Sequence, residues 1–326
     1  MSFTLPVYQP PDFAALGLGD APDVKLVPAE RDGVVPEQYH ATTMFPEYFR
    51  LNGRWVLAEE SRMDCVAVCR DGAVSIVEFR NVKKGDPVAV GRTEDGGEGI
   101  YVHTGGFGEE GGGGETFSFR QGRSRETAYS MDYDSIYELL KYERDHGNII
   151  WVMGPACAFD ADARSAFAAL VREGFVDGIL AGNALATHDL EAGYRGTALG
   201  QDVYTQRSVP NGHYNHIDTI NEVRRLGSVQ AFVDSGEVRD GILYECVKKS
   251  VPFVLVGSVR DDGPLPEVYG NVYEGQNAMR DLVRKATTII CMASTLHTVA
   301  TGNMTPCYRV VNGSVRPLYF YSVDIS

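Results

Sequence analysis

Several features that would place a chain in a broad class are absent from this sequence of 326 residues. It has no apolar run of about 18 residues, so we predict no membrane-spanning helix. Its N-terminus has neither the basic start nor the apolar core of a signal peptide. It also lacks a CxxC pair, so a structural zinc site is not expected and we predict no bound metal.

Basic residues are too few for a surface that binds nucleic acid. The chain has 30 Lys and Arg residues against 44 Asp and Glu residues, which gives a net charge of −14. A chain of this charge neither neutralises a phosphate backbone nor adheres to an anionic bilayer. We therefore predict no nucleic-acid partner and no membrane partner, and expect a small molecule as the ligand.

Cysteine is scarce, and most of the six cysteines lie in apolar runs such as CVAVC at 65–69. Reduced, buried cysteines behave as small hydrophobic side chains. Cys65 and Cys69 are four residues apart and would point to the same face of a strand, which favours core packing over a redox role. Unpaired cysteines of this kind are typical of a reducing compartment, so we predict a cytoplasmic protein.

The sequence divides into three parts. Residues 1–33 are rich in Pro, Gly and Asp without a sustained period, which indicates an irregular N-terminal arm. Residues 34–125 contain short strand-like runs, and the Asn52-Gly53 pair between two of them is a strong hairpin signal. From 126 to 326, strand-like and helical runs alternate. This alternation predicts an α/β domain with a mostly parallel sheet and helices on both faces, next to a smaller β-rich domain.

Residues 104–116 contain seven glycines in thirteen positions. A glycine cluster can cradle a phosphate group, but no strand feeds a helix here and the glutamates of the segment would repel an anion. We interpret the segment as a flexible loop or linker.

Each strand of the α/β half ends in a turn of small residues. Small residues let a ligand approach the backbone, and the following helix offers unpaired N–H groups to an anion. Four such turns along one sheet edge would form a groove suited to a dinucleotide, although the GxGxxG fingerprint is absent. The turns are Gly154-Pro155-Ala156, Gly182-Asn183-Ala184, Gly257-Ser258 and Ala293-Ser294-Thr295.

The turn at 257–264 carries unusual charge, since Arg260, Asp261 and Asp262 follow directly after the apolar run that ends at Val256. Ligands of open α/β sheets bind at such strand ends. Crowded carboxylates raise one pKa, which would make one of the two aspartates usable as a base near neutral pH, while the other caps a helix or holds Arg260. The alternative is a capped turn with a surface Arg–Asp pair, and we favour the functional interpretation.

Two histidines three residues apart, His213 and His216, precede a predicted helix. A metal site needs a third ligand, and none is obvious in the sequence. Acid–base chemistry, substrate binding and a structural role all remain open for this pair. His188 and His297 follow strand-end turns and lie within reach of the groove. Asp324 ends the last strand, where it is either a ribose ligand or a helix cap or solvated terminus.

Read together, these residues resemble the archaeal-type ornithine cyclodeaminase family, whose members share a conserved region with bifunctional lysine-ketoglutarate reductase/saccharopine dehydrogenase proteins. The resemblance runs from about residue 34 to 326. The segments that carry it are PEQYHATTMFP at 36–46, LNGRWV at 51–56, MDC at 63–65, GPA at 154–156, AGNALATHDLEA at 181–192, GHYNHIDTINEVRRLGS at 212–228, GILYECVKKSVPFVLVGSVRDDGPLPEV at 241–268 and LHTVATGNM at 296–304.

The resemblance implies a Rossmann-like domain of the deoxyhypusine synthase type, with NAD bound along the strand ends. It also implies conversion of ornithine to proline and ammonia, with Asp262, His213 and His216 as candidates for the base that deprotonates the α-amine. The positions implied for the nucleotide are Gly154, Ala156, Gly182, Asn183, Ala184, Gly257, Ser258, Arg260, Asp261, Ser294, Thr295, Asn303 and Asp324.

Three departures from the family pattern raise alternatives. Asn215 stands where the family tends to carry histidine, the glycine-rich stretch at 104–114 resembles an insertion, and family members continue past the last strand with further elements. Either a neighbouring subunit completes the site, as in a homo-oligomeric dimer or tetramer, or the cofactor site is altered. The alternatives are an NAD-dependent amino-acid dehydrogenase acting on another substrate, and a non-catalytic nucleotide-binding subunit of a larger complex.

Overall fold

A computed structural model describes residues 3–108, 130–261 and 263–323, without the side chains of 130–132. Asp262 and Asp324, both predicted site residues, lie outside the described residues, as does the stretch 109–116 of the glycine-rich segment. No helix among the described residues combines the length and the hydropathy that crossing a bilayer requires.

The elements of the first third of the chain are mostly strands. In chain order they are β1 (Lys25–Pro28), β2 (Glu47–Leu51), β3 (Arg54–Leu57), β4 (Cys65–Arg70), β5 (Ala73–Glu78), a 3₁₀ turn (Phe79–Asn81), β6 (Pro87–Val90) and β7 (Ile100–Val102).

Helices and strands then alternate. They are α1 (Ser130–His146), β8 (Ile149–Met153), α2 (Ala156–Phe159), α3 (Ala161–Arg172), β9 (Gly178–Gly182), α4 (Asn183–Arg195), β10 (Thr197–Ala198), β11 (Gln201–Asp202), α5 (His213–Leu226), α6 (Val229–Asp234), α7 (Ile242–Lys249), β12 (Phe253–Val256), β13 (Val268–Tyr269), α8 (Val272–Val283), β14 (Thr288–Met292), α9 (Thr295–Asn303), β15 (Tyr308–Val311), β16 (Ser314–Pro317) and β17 (Tyr319–Val323).

The described residues form two compact units. The N-terminal unit comprises 3–108 and 302–320, and the α/β unit comprises 130–301 and 321–323. The sequence pattern assigned 302–320 to the α/β half, whereas the structure groups it with the N-terminal unit. The reason is long-range pairing: Tyr308 donates its hydroxyl to the carbonyl of Ala58 at 2.5 Å, and the N–H of Cys307 bonds Met44 at 2.8 Å.

The N-terminal unit contains an antiparallel sheet in the order β1-β6-β4-β5 and a second sheet in the order β3-β2-β7. The predicted hairpin is present, because Asn52 and Gly53 both take the positive φ that a tight β2–β3 turn needs (50° and 74°). Cys65 and Cys69 are buried in β4, which confirms that they are core residues. Strand β1 lies inside the segment expected to be irregular, because its pairing with β6, rather than an apolar period, makes it a strand.

The α/β unit is built on a six-stranded sheet in the order β13-β12-β9-β8-β14-β17. The pairs from β13 across to β14 are parallel. The strands read as continuous apolar runs because both faces are covered; all five residues of β8 are buried. Helices α2, α3, α4 and α7 pack against one another, and α8 packs against β12 and β13. The α/β fold with helices on both faces is as predicted.

Candidate functional site

The strand order places a switch point between β8 and β14. From β8 the chain moves outward to β9, β12 and β13, and then returns to β14 on the other side of β8. In open parallel sheets the ligand crevice lies at the carboxyl ends of two such strands, because their connections leave in opposite directions. Met153 pairs with Met292, so the turns that begin at Gly154 and Ala293 leave the sheet at the same level.

Gly154 is where the two turns come closest. Its N–H donates to the carbonyl of Met292 at 2.8 Å. A Cβ atom at this position would lie 1.7 Å from the carbonyl oxygen of Ala293, so a residue other than glycine cannot fit without moving the backbone. Glycine is therefore required at this position, because the two turns pack main chain against main chain where β8 and β14 end.

The end of β9 leads directly into α4. Gly182 is the N-cap of this helix, and no side chain in the described part of the protein caps it. The first N–H groups of α4 thus point toward the strand ends without a side-chain acceptor, an arrangement that favours a phosphate. The side chain of Asn183 is engaged elsewhere, because its amide oxygen accepts bonds from the Leu265 N–H (3.1 Å) and the Thr187 hydroxyl (3.2 Å).

The turn after β12 is closed by Asp261. Its carboxylate accepts the N–H of Ser258 at 2.7 Å, and its own N–H donates to the carbonyl of Ser258. Ser258 and Arg260 are exposed at this turn. Asp261 therefore adopts the capped-turn role that the sequence left as an alternative.

A histidine stands over the strand ends at the start of α9. The Nδ1 atom of His297 is 3.1 Å from the Ser294 hydroxyl. Its Cε1 atom would be 3.4 Å from a Cβ at Gly182, so the ring lies beside the end of β9. Burial lowers the pKa of His297, which keeps the imidazole neutral and able to accept a proton near pH 7. Thr295 begins this helix and Asn303 ends it; both are exposed.

His216 lies in a buried polar group that the sequence did not reveal. Its Nδ1 atom is 3.2 Å from a carboxylate oxygen of Glu191, and the Nδ1 atom of His188 is 4.0 Å from the same oxygen. We call these three residues the His–Glu cluster. The structure does not bring His213 into it, because His213 is exposed and packs its ring on Tyr214. Sequence analysis found no third residue to accompany the two histidines, although the i, i+3 spacing of His188 and Glu191 on one helix was a signal for it.

Asp189 has a structural role although it follows His188 directly. Its carboxylate accepts the N–H groups of Ile242 and Leu243 at the start of α7, at 2.9 and 2.7 Å. The guanidinium of Arg164 binds the same carboxylate at 2.7 Å. The two neighbours on α4 thus serve different purposes, and only His188 faces His216.

Comparison with known proteins identifies the relatives. Residues 135–318 match the family described as arginine dihydrolase ArgZ-like, C-terminal, Rossmann fold, and residues 46–127 match the first region of the same C-terminal part. The chain is 39% identical over 295 residues to the ornithine cyclodeaminase of Methanocaldococcus jannaschii, an alignment that covers 88% of this chain and 68% of that protein. The chain belongs to the archaeal-type ornithine cyclodeaminase family. The predicted family and Rossmann-like fold are therefore confirmed.

Solved structures of similar proteins agree with the Rossmann-like fold. A putative LOR/SDH protein from Methanococcus maripaludis S2 superposes with a TM-score of 0.82 at 33% identity, over 94% of this chain and 88% of that chain. The ternary complex of AgrE with ornithine and NAD⁺ superposes with a TM-score of 0.57 at 32% identity, over 94% of this chain and 41% of the longer AgrE chain. AgrE of Nostoc sp. is a bifunctional arginine dihydrolase/ornithine cyclodeaminase.

Proposed function

We propose that this protein is an NAD-dependent cyclodeaminase that converts ornithine to proline and ammonia. The observation that carries the proposal is the switch point between β8 and β14 in a chain 39% identical to a protein named ornithine cyclodeaminase. The AgrE complex supports both ligands, since that relative holds ornithine and NAD⁺ together.

The residues around the crevice fit a dinucleotide. The N-terminus of α4 after Gly182, which no described side chain caps, offers backbone N–H groups for a pyrophosphate. The groups proposed to hold NAD are those at the four strand ends and on α9: Gly154, Ala156, Gly182, Asn183, Ala184, Gly257, Ser258, Arg260, Asp261, Ser294, Thr295 and Asn303, with Asp324 in the part of the chain not described.

NAD would supply an acceptor for the α-hydrogen of ornithine as hydride, and return of that hydride to the ring-closed imine would give proline, so no net oxidation would occur. The chain must remove a proton from the α-amine, which requires a carboxylate or an imidazole. Asp262, His213 and His216 remain the candidates from the sequence. The position of His297 at the strand ends, together with its lowered pKa, adds it to this set.

Isotope-labelled ornithine tests the proposal. With NAD at roughly a tenth of the ornithine concentration, proline and ammonia should form in excess of NAD without accumulation of NADH. Ornithine labelled with ¹⁵N at the α-amine should release labelled ammonia, because the δ-amine attacks the α-carbon and expels the α-nitrogen. Ornithine deuterated at the α-carbon should give proline that keeps the deuterium, because the hydride returns to the same carbon.

Other outcomes would identify the alternatives. Stoichiometric NADH would indicate an amino-acid dehydrogenase. A thermal shift with NAD but no turnover of ornithine would indicate a nucleotide-binding subunit, since a ligand at a hundred times its dissociation constant adds about 2.7 kcal/mol to the free energy of unfolding. Absence of any shift with NAD, NADH or NADP would refute the nucleotide site itself.

A further inference from the structure

The His–Glu cluster has the composition and the spacing of a metal-binding site. His188 and Glu191 are one turn apart on α4, and His216 reaches them from the neighbouring helix α5. The three ligand atoms all lie within 4.8 Å of one another. Ligand atoms around one tetrahedral zinc ion, at about 2.0–2.2 Å from it, are roughly 3.3 Å apart. The 3.2 Å between Glu191 and His216 matches this spacing, whereas the 4.0 Å between Glu191 and His188 exceeds it by about 0.7 Å.

Glu191 is held as a metal-ligating carboxylate would be held. One of its oxygens accepts the Thr197 hydroxyl (2.7 Å) and the Gly200 N–H (2.9 Å). The other accepts the Leu199 N–H at 2.9 Å and faces both imidazoles. Carboxylates that bind metals are fixed by such surrounding hydrogen bonds, which leave one oxygen directed at the ion.

The charge of the cluster also calls for a cation. Glu191 is fully buried, and its carboxylate faces the donors of Thr197, Leu199 and Gly200 and the two imidazoles. The donors just named are a hydroxyl, backbone amides and imidazoles, and buried carboxylates are ordinarily paired with a cation or coordinate a metal.

His188 supplies a second, independent observation. It is 4% exposed, and its buried Nδ1 atom has no hydrogen-bond partner among the described residues. An unpaired polar atom in the interior costs free energy unless something absent from the protein itself binds it. This nitrogen lies 4.0 Å from the Glu191 oxygen that already holds His216. The side chain of His216 is 20% exposed, so the cluster has a path to solvent.

We propose that His188, Glu191 and His216 bind one divalent first-row transition-metal ion, with zinc as the first candidate. Two imidazoles and one carboxylate are ligands that zinc accepts, and three protein ligands leave its fourth position open. The ion takes the place of the hydrogen bond between His216 and Glu191, and each imidazole binds it through a deprotonated ring nitrogen. Because its ligands come from both helices, the ion links α4 to α5. A metal-bound His216 can no longer act as the base that deprotonates the α-amine. The metal site is independent of whether ornithine is the substrate.

A metal-binding measurement tests the proposal. It uses the whole protein without an affinity tag, after a chelator has removed any bound metal. Titration with Zn²⁺ should give one tightly bound ion per chain, measured by calorimetry and by elemental analysis after gel filtration, and should raise the Tm. His216→Ala should lose this ion. His213→Ala is the matched control, because it lies on the same helix three residues earlier and outside the cluster, and it should bind zinc like the unaltered protein.

Cobalt substitution keeps the test valid if His216→Ala does not fold. In the unaltered protein, Co²⁺ should give the visible bands of a four- or five-coordinate site without a thiolate-to-cobalt band in the near ultraviolet. A thiolate band would place the ion on cysteine and overturn the assignment. Failure to retain zinc after gel filtration, or equal retention by His216→Ala and His213→Ala, would also overturn it.

Discussion

Replacing Gly154 with alanine tests whether the crevice at the switch point is the nucleotide site. The new Cβ would lie 1.7 Å from the Ala293 carbonyl oxygen, whereas Cβ contacts are essentially never below 3.0 Å. The ends of β8 and β14 must therefore separate by at least about 1.3 Å, the difference between the two distances. Forced expansion of a packed region costs about 1–3 kcal/mol. For a unit of this size that corresponds to a Tm decrease of roughly 2–12 °C.

The same displacement should weaken NAD binding and turnover, because a shift of about 1 Å in positioning groups lowers rates by about a hundredfold. Gly270→Ala is the control, since a Cβ there meets nothing within 4 Å. It should change the free energy of unfolding by no more than about 0.5 kcal/mol. Calorimetric titration with NAD measures the binding of the nucleotide to both variants, and a thermal melt measures their stability. If Gly154→Ala melts like Gly270→Ala, the steric argument is wrong. If Gly154→Ala is destabilised but binds NAD normally, the nucleotide lies elsewhere.

Three further predictions concern burial. Asp189→Asn should destabilise the protein by about 3–5 kcal/mol in urea unfolding, because it leaves buried Arg164 without its buried counter-charge. Asp240→Asn alters the exposed partner of the same arginine and should cost about 1 kcal/mol or less. Equal losses of stability in the two variants would contradict the role assigned to Asp189. Burial lowers the pKa of His297 below 6.5, so the unfolded chain binds more protons and the free energy of unfolding should fall as the pH drops below about 6.5. His297→Gln should reduce this fall. If the urea midpoints of the variant and the unaltered protein are the same at about pH 5.5 and also at about pH 7.5, the assignment to His297 is wrong. Burial raises the pKa of thiols such as Cys69, to about 12, so iodoacetamide at about pH 8 should leave native Cys69 unmodified and label it only after unfolding, as mass spectrometry can show.

Local signals in the sequence were sufficient for the strand ends and for one hairpin. The apolar run from 252 to 256 ends in Gly257 because a strand buried on both faces excludes polar residues until it leaves the sheet. Asn52-Gly53 predicted its turn because both residues tolerate positive φ. These features depend on residues that are adjacent in the chain, so periodicity and turn chemistry report them directly.

Contacts between residues that are far apart in the chain could not be predicted from the sequence in the same way. The His–Glu cluster requires α4 to pack on α5 and requires the 197–200 segment to turn its amides toward Glu191. The turn at Ser258 showed its carboxylates in the sequence, but only coordinates reveal that Asp261 closes the turn. The segment 302–320 follows the α/β half in the sequence, and only its contacts, such as those of Cys307 with Met44 and of Tyr308 with Ala58, assign it to the N-terminal unit.

The sequence by itself determined the alternation of strands and helices, the small-residue turns that follow the strands, and the family to which the chain belongs. These follow from local propensity, from the two backbone periodicities and from long matching segments. Only the tertiary structure decided that β8 lies between β9 and β14, and therefore which two turns flank the crevice. It alone also brought a glutamate and two histidines from two helices into one buried cluster, because side-chain convergence depends on packing between segments that are far apart in the chain.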